Sequence, residues 1–129
     1  MKFFRGSVLA LFGLMAGFFL ILGAMPTQAQ GATSTQGKPA LYEFGAKTCI
    51  PCKEMKKVMA GLKGQYSDQM EFRMVYLDEN RPMFGEYKIV AIPTQVFLDA
   101  SGKEVDRHIG ALSKEEVVKK LKELKFITH

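Results

Sequence analysis

From Ser7 to Met25 the chain runs through nineteen residues without a charge, SVLALFGLMAGFFLILGAM. Lys2 and Arg5 precede the run, and the small, polar Pro26-Thr27-Gln28-Ala29-Gln30 follows it. A positive start, an apolar middle and a small-residue end are the three parts of a secretory leader. Thr27 and Ala29 suit positions −3 and −1, which predicts cleavage after Ala29. The run is also close to the length that spans a bilayer, so an uncleaved anchor is the rival reading. A core helix would need a polar face, and this run has none. Under either export reading Lys2 and Arg5 stay inside and everything downstream is exported, giving a periplasmic or otherwise extracytoplasmic protein. A folded unit then has to be built from the rest of the chain, enough for a single compact core.

Composition narrows the choice further. Of 129 residues 47% are hydrophobic and 24% charged, with 12 Gly, 5 Pro and 2 Cys, which fits neither a collagenous nor a wholly disordered chain. Two cysteines cannot make a disulfide-rich mini-protein or a four-cysteine zinc site. The formal charge of +5 falls to +3 once Lys2 and Arg5 are set aside. Much of the excess sits in Lys114 to Lys125, where five Lys accompany three Glu, the pattern of a solvated helix face. Basic residues are not interleaved with aromatics, so nucleic acid is not an expected partner.

Gln30 to Pro39 (QGATSTQGKP) reads as a flexible linker, and residues 40–129 as the folded domain. Ala40-Leu41-Tyr42-Glu43-Phe44 predicts a short strand ended by Gly45. Cys52 to Leu62 carries Met55, Val58, Met59 and Leu62 at helical spacing. Glu71 to Leu77 alternates as a strand does, with Phe72, Met74 and Tyr76 on one side. A short helix is expected near Pro82 to Tyr87. Thr94 to Leu98 and Glu104 to Ile109 are strands joined by the turn Asp99-Ala100-Ser101-Gly102. Ser113-Lys114-Glu115-Glu116 is a capping box opening a helix with the apolar stripe Val117, Val118, Leu121 and Leu124. The order is β-α-β-α-β-β-α, an α/β fold with the first two strands parallel and the last two in a hairpin.

Cys49-Ile50-Pro51-Cys52 is a CxxC whose setting says more than its letters. Cys49 follows a strand, and a helix begins inside the motif. Free N–H groups and the positive dipole end at a helix start favour a thiolate, so Cys49 is the expected nucleophile. Cys52, one turn in, faces the same way, is shielded, and resolves the mixed disulfide. Pro51 has no N–H to lose in a first turn. Attached haem would need His at position 53, which is Lys, and His108 and His129 lack the spacing of a zinc ligand pair. A static structural disulfide and a metal site remain alternatives to a redox-active pair, and the strand-then-helix setting favours redox chemistry. Met55, Met59, Met70, Met74 and Met83 read as core packing, with a Cys/Met copper carrier as the rival. His108 reads as an ordinary polar-face residue.

Four segments in order carry a family resemblance: Leu41-Tyr42-Glu43-Phe44 leading to Cys49-Ile50-Pro51-Cys52-Lys53; Val75-Tyr76-Leu77-Asp78; Tyr87-Lys88-Ile89-Val90-Ala91-Ile92-Pro93-Thr94; and Gly102-Lys103-Glu104 followed by Ile109-Gly110-Ala111-Leu112-Ser113. From Ala40 to Leu124 the chain resembles the thioredoxin-like family. The resemblance implies a three-layer fold with a central mixed sheet, its usual first strand and helix trimmed for want of room. It also implies that Pro93 is a cis-proline beside the CxxC, whereas an X–Pro bond is trans by default. Ile92 would pair with an extended substrate, Gly110 would let that substrate approach closely, and Ile50 and Pro51 would touch it. Glu43, where the family often has a buried Asp, would take a proton from Cys52; the competing reading leaves it solvated on its strand. Thr48 stands where the family usually has Trp, so partner choice should differ from that of general thioredoxins.

The expected function is thiol–disulfide exchange on exported proteins, with no bound cofactor, by a monomer. Pro51 and Glu43 lean towards a reductant, which outside the cytoplasm needs a membrane-linked thiol electron donor. A thiol oxidant or isomerase is the alternative within the class, and a non-catalytic binding module the alternative outside it.

Overall fold

The computed structural model describes residues 37–128; the leader and most of the linker lie outside the described residues. The elements are β1 (Ala40–Gly45), α1 (Ile50–Tyr66), β2 (Glu71–Tyr76), α2 (Arg81–Glu86), β3 (Thr94–Leu98), β4 (Glu104–Ile109) and α3 (Lys114–Glu123). Among the described residues the sheet has four strands in the order β2-β1-β3-β4, with β1 parallel to β2 and the other pairings antiparallel. This is the mixed-sheet α/β fold that the sequence pattern predicts. α1 is longer than its apolar stripe suggests: beyond Leu62 its last turn is mostly exposed, so periodicity ends before the hydrogen bonding does.

Three layers follow from how the strands alternate. Leu41 and Phe97 face α1 and α3, joining Met55, Met59, Leu62, Val117 and Leu121 in one core. Tyr42, Phe44 and Val96 face the other way, against Met83 and Phe84 of α2. The Phe44 and Phe84 rings meet edge-on, 5.2 Å between centroids. With both faces covered, β1 is buried along its whole length, which is why Ala40-Leu41-Tyr42-Glu43-Phe44 shows no polar side. Met55, Met59, Met70 and Met83 are all buried, and Met74 lies against the first core.

The joints are fixed by local chemistry. Asp99 Oδ1 accepts from the Ser101 and Lys103 amides at 2.8 and 3.1 Å, shaping the β3–β4 turn, and Gly102 takes the positive φ that closes it. Ser113 and Glu116 form the expected capping box at the start of α3. Its far end closes through Lys125 in the left-handed region, with the Phe126 amide donating to Leu121 O and the Lys125 amide to Lys122 O. The Glu71 amide donates to Pro39 O, and the Thr128 amide to Gln69 Oε1, so both ends of the described chain lie at the edge of the sheet where β1 begins. The CxxC lies past the other end of β1.

Candidate redox site

β1 ends at Gly45, and the Cys49 amide donates to Ala46 O to turn the chain into α1. Cys49 is the N-cap: its backbone is extended, and its Sγ accepts from the Cys52 amide at 3.4 Å. The helix start therefore aims a free N–H at the sulfur, the arrangement that stabilises a thiolate. Ile50 and Pro51 fill the first two helical positions, where Pro51 leaves no donor unmet, and both are exposed. Cys52 lies one turn in and is buried, whereas Cys49 is half-buried. The two are joined in a disulfide.

Beneath Cys52 the site is tight. A Cβ placed on Gly45 would stand 3.1 Å from Cys52 Cβ, 3.3 Å from its Sγ and 4.0 Å from Glu43 Oε1. The missing side chain of Gly45 thus leaves the sulfur and the carboxyl bordering one small space. Glu43 is fully buried, so the solvated reading is overturned. Burial pushes its carboxyl up to about 8, and a hydrogen bond from Gln95 opposes the rise. Gln95 Nε2 donates to Glu43 Oε2 at 2.7 Å, while Glu43 Oε1 and Gln95 Oε1 have no hydrogen-bond partner among the described residues.

The registers bring the remaining residues to this end of the sheet. Phe44 pairs with Thr94, which sets Pro93 at the end of β1 that leads to the CxxC. The Ile92–Pro93 peptide is cis, and Pro93 is buried. Thr94 Oγ1 donates to Ala91 O at 2.7 Å, and the Gly110 amide to Pro93 O at 2.8 Å. Gly110 has φ of 112°, a conformation that a side chain would strain. The Leu112 amide donates to Met55 Sδ at 3.2 Å and ties this loop to α1. Ile92 is half-buried, and Val90 beside it is 87% exposed. Leu77, Phe84, Ile89, Val90, Ala91 and Ile92 line an apolar cleft. Lys47 is engaged by Glu79 and Asp78, on a side chain that reaches over the Tyr76 ring.

The sequence pattern marks Gly45 only as a strand end and does not single out Gln95 as a site residue. A lone amide inside Thr94-Gln95-Val96-Phe97-Leu98, and a lone carboxylate inside β1, were the available signal: two polar residues in strands otherwise fit for a core. His108 is half-buried on β4 at the position paired with Gln95. Among the described residues no three His, Cys, Asp or Glu side chains gather as a metal site would need.

A half-exposed sulfur capping a helix, paired with a buried one beside a buried carboxyl, defines a thiol–disulfide oxidoreductase. The comparisons make the class specific. The family model described as Thioredoxin matches residues 27–123. Thioredoxin 2 of Chlorobaculum tepidum is 38% identical over 86 residues, covering 67% of this chain and 78% of that protein. The Thiol:disulfide interchange protein TxlA homolog of Synechocystis is 31% identical over 122 residues, 82% of this chain and 67% of that one. Among solved structures, thioredoxin NaTrxh from Nicotiana alata superposes with a TM-score of 0.61 at 34% identity, covering 69% of this chain and 75% of the other. The chain belongs to the thioredoxin family, whose chemistry needs no cofactor beyond the redox-active disulfide.

Proposed function

We propose that this protein is an extracytoplasmic reductant of disulfides in exported proteins, working as a monomer and recharged by a membrane-linked thiol donor. The observation that carries the redox assignment is the inequality of the two sulfurs: Cys49 caps α1 at the surface, while Cys52 is buried against Gly45 near the Glu43 carboxyl. The charge-free run Ser7–Met25 supports export, and the interchange activity printed in the name of the TxlA homolog agrees with action on other proteins' disulfides.

In this reading the Cys49 thiolate attacks one sulfur of the partner disulfide and releases the other as a thiolate, which takes a proton from water. Cys52 then gives its proton to the Glu43 carboxylate and attacks Cys49 Sγ. The Cys49–partner bond breaks as the Cys49–Cys52 bond forms, and the second partner sulfur leaves as a thiolate. Two electrons have moved to the partner, and Glu43 holds the proton beneath the closed disulfide. Ile50, Pro51, Ile92, Pro93 and Gly110 form the surface on which the partner strand lies, with Pro93 flanking the sulfurs. Recharging runs the same steps backwards with a dithiol donor.

The deciding experiment measures the reduction potential of the Cys49–Cys52 pair and identifies what Cys52→Ser traps in cells. A potential near about −270 mV with trapped exported proteins supports the reductant, whereas one near about −120 mV makes the protein an oxidant. Fractionation of cells into cytoplasmic, membrane and exported pools tests the location.

A further inference from the structure

Gln95 and Glu43 stand directly opposite each other in the antiparallel β1–β3 register, so both side chains lie on the sheet face covered by α1 and α3. Both are fully buried. A buried amide among the apolar residues of β3 costs stability unless its hydrogen-bonding groups are used. Only part of this one is used: its N–H meets Glu43 Oε2 at 2.7 Å, and its oxygen has no partner among the described residues. The arrangement is thus poor as structural glue. Its effect on the carboxyl is specific, because with Oε2 engaged by a donor, the unpartnered Oε1 is the oxygen left for a proton. Oε1 is also the oxygen nearest the space at Gly45 that Cys52 Sγ borders.

We infer that Gln95 is a positioning residue for the exchange reaction: its amide locks the Glu43 carboxyl so that Oε1, directed at the Gly45 notch, is the oxygen that takes the proton from Cys52. This rests on the reading of Glu43 as the proton acceptor. When the Cys52 thiol loses its proton to Oε1, the Gln95 N–H keeps its bond to Oε2 before and after the transfer. The Glu43–Gln95 pair therefore needs no rearrangement as the proton is transferred.

The groups around Glu43 leave Gln95 as the polar influence closest to it. Cys52 and the uncharged Met55 come from α1, and Met74 is the paired residue on β2. His108 on β4 lies beyond Gln95, at the register position paired with it. On α1 the nearby lysines, Lys53 and Lys56, are exposed. A donor to the ionised carboxyl holds its proton affinity down, so removing that donor raises it.

The test compares wild type, Gln95→Met (similar volume, no donor), Glu43→Gln and the double variant in the full chain. Glu43 is followed by carbon-13 NMR in the oxidised protein, and mixed-disulfide resolution by rapid mixing across pH. In Gln95→Met the Glu43 midpoint should rise by half a unit or more, about threefold in proton affinity. The pH limb of resolution should move upward with it while KM for the partner stays put. Glu43→Gln should erase the limb, and adding Gln95→Met should then change nothing further. A Gln95→Met variant that loses stability but keeps the wild-type midpoint and limb overturns the positioning role alone. If Glu43→Gln leaves the limb intact, the proton-acceptor reading itself fails, and this inference with it. Should Gln95→Met not fold, the side-chain amide protons of Gln95 in the unmodified protein serve instead. They should titrate with the Glu43 midpoint, and a flat response overturns the inference.

Discussion

Cys49 Sγ stands 3.4 Å from the amide nitrogen of Cys52, so the more exposed sulfur caps the very helix that carries the buried one. The two positions are therefore unequal in a way their spacing alone does not reveal. Replacing Cys49 by Ser should abolish turnover, whereas Cys52→Ser should still attack and then stall, accumulating mixed disulfides visible as mass adducts. Equal loss without adducts in both variants would contradict the assigned order of attack.

Burial of Glu43 makes a prediction about stability and pH. Its carboxyl sits at about 8 in the folded protein against 4.5 for the ordinary group, so the fold binds that proton more tightly than the unfolded chain does. The resulting stabilisation is complete below about pH 4.5, shrinks as pH rises, and is gone above about 8. In the oxidised protein, where neither sulfur titrates, denaturant unfolding should lose up to about 1.4 kcal/mol per pH unit across that window. Glu43→Gln should flatten the slope and leave the variant the more stable of the two at pH 8. A wild-type stability that climbs from pH 5 to pH 8 would contradict the burial of this carboxyl as a proton-binding group.

How far the sequence reaches can be judged from particular residues. Cys49 and Cys52, the Ser113–Glu116 box and the Asp99–Gly102 turn were legible because each is a local pattern that works through neighbours in the chain. Both strands of the hairpin were placed to the residue, since turn chemistry bounds them. Glu43 and Gln95 are different. They are 52 residues apart, and what makes them a pair is the β1–β3 register, which no local pattern encodes. Val90 reads as one more apolar residue of a run; its 87% exposure follows from the loop that leads into Pro93. The long end of α1 was illegible for the opposite reason, because hydrogen bonding carries it past its last apolar contact.

The two ends of α3 should respond with opposite signs. Ser113 accepts from the Glu116 amide while Glu116 Oε2 accepts from the Ser113 amide at 2.7 Å. Ser113→Ala should cost about 1 kcal/mol, a fall in Tm of about 4–8 °C, read by calorimetry.

Lys125, at φ 59°, occupies a conformation that disfavours any residue with a Cβ. Lys125→Gly should accordingly raise stability by about 1 kcal/mol, measured by denaturant midpoint, with the exchange rate untouched. A drop in stability would mean that Lys125 makes a compensating contact through its side chain.

Ile50 is 75% exposed next to the nucleophile, an apolar surface that none of the described residues covers. Ile50→Asp should lower kcat/KM for a protein disulfide about tenfold, the equivalent of about 1.4 kcal/mol of lost contact. The rate with a small-molecule disulfide should fall much less, and comparing the two substrates in parallel assays separates docking from chemistry.

Pro39 and Thr128 are held at the edge where β1 starts, by bonds to Glu71 and Gln69, and the sulfurs lie past the opposite edge. A sensor surface coupled at these two described ends would hold the molecule by its heel. The reactive tip would then face away from that surface, open to large clients in solution.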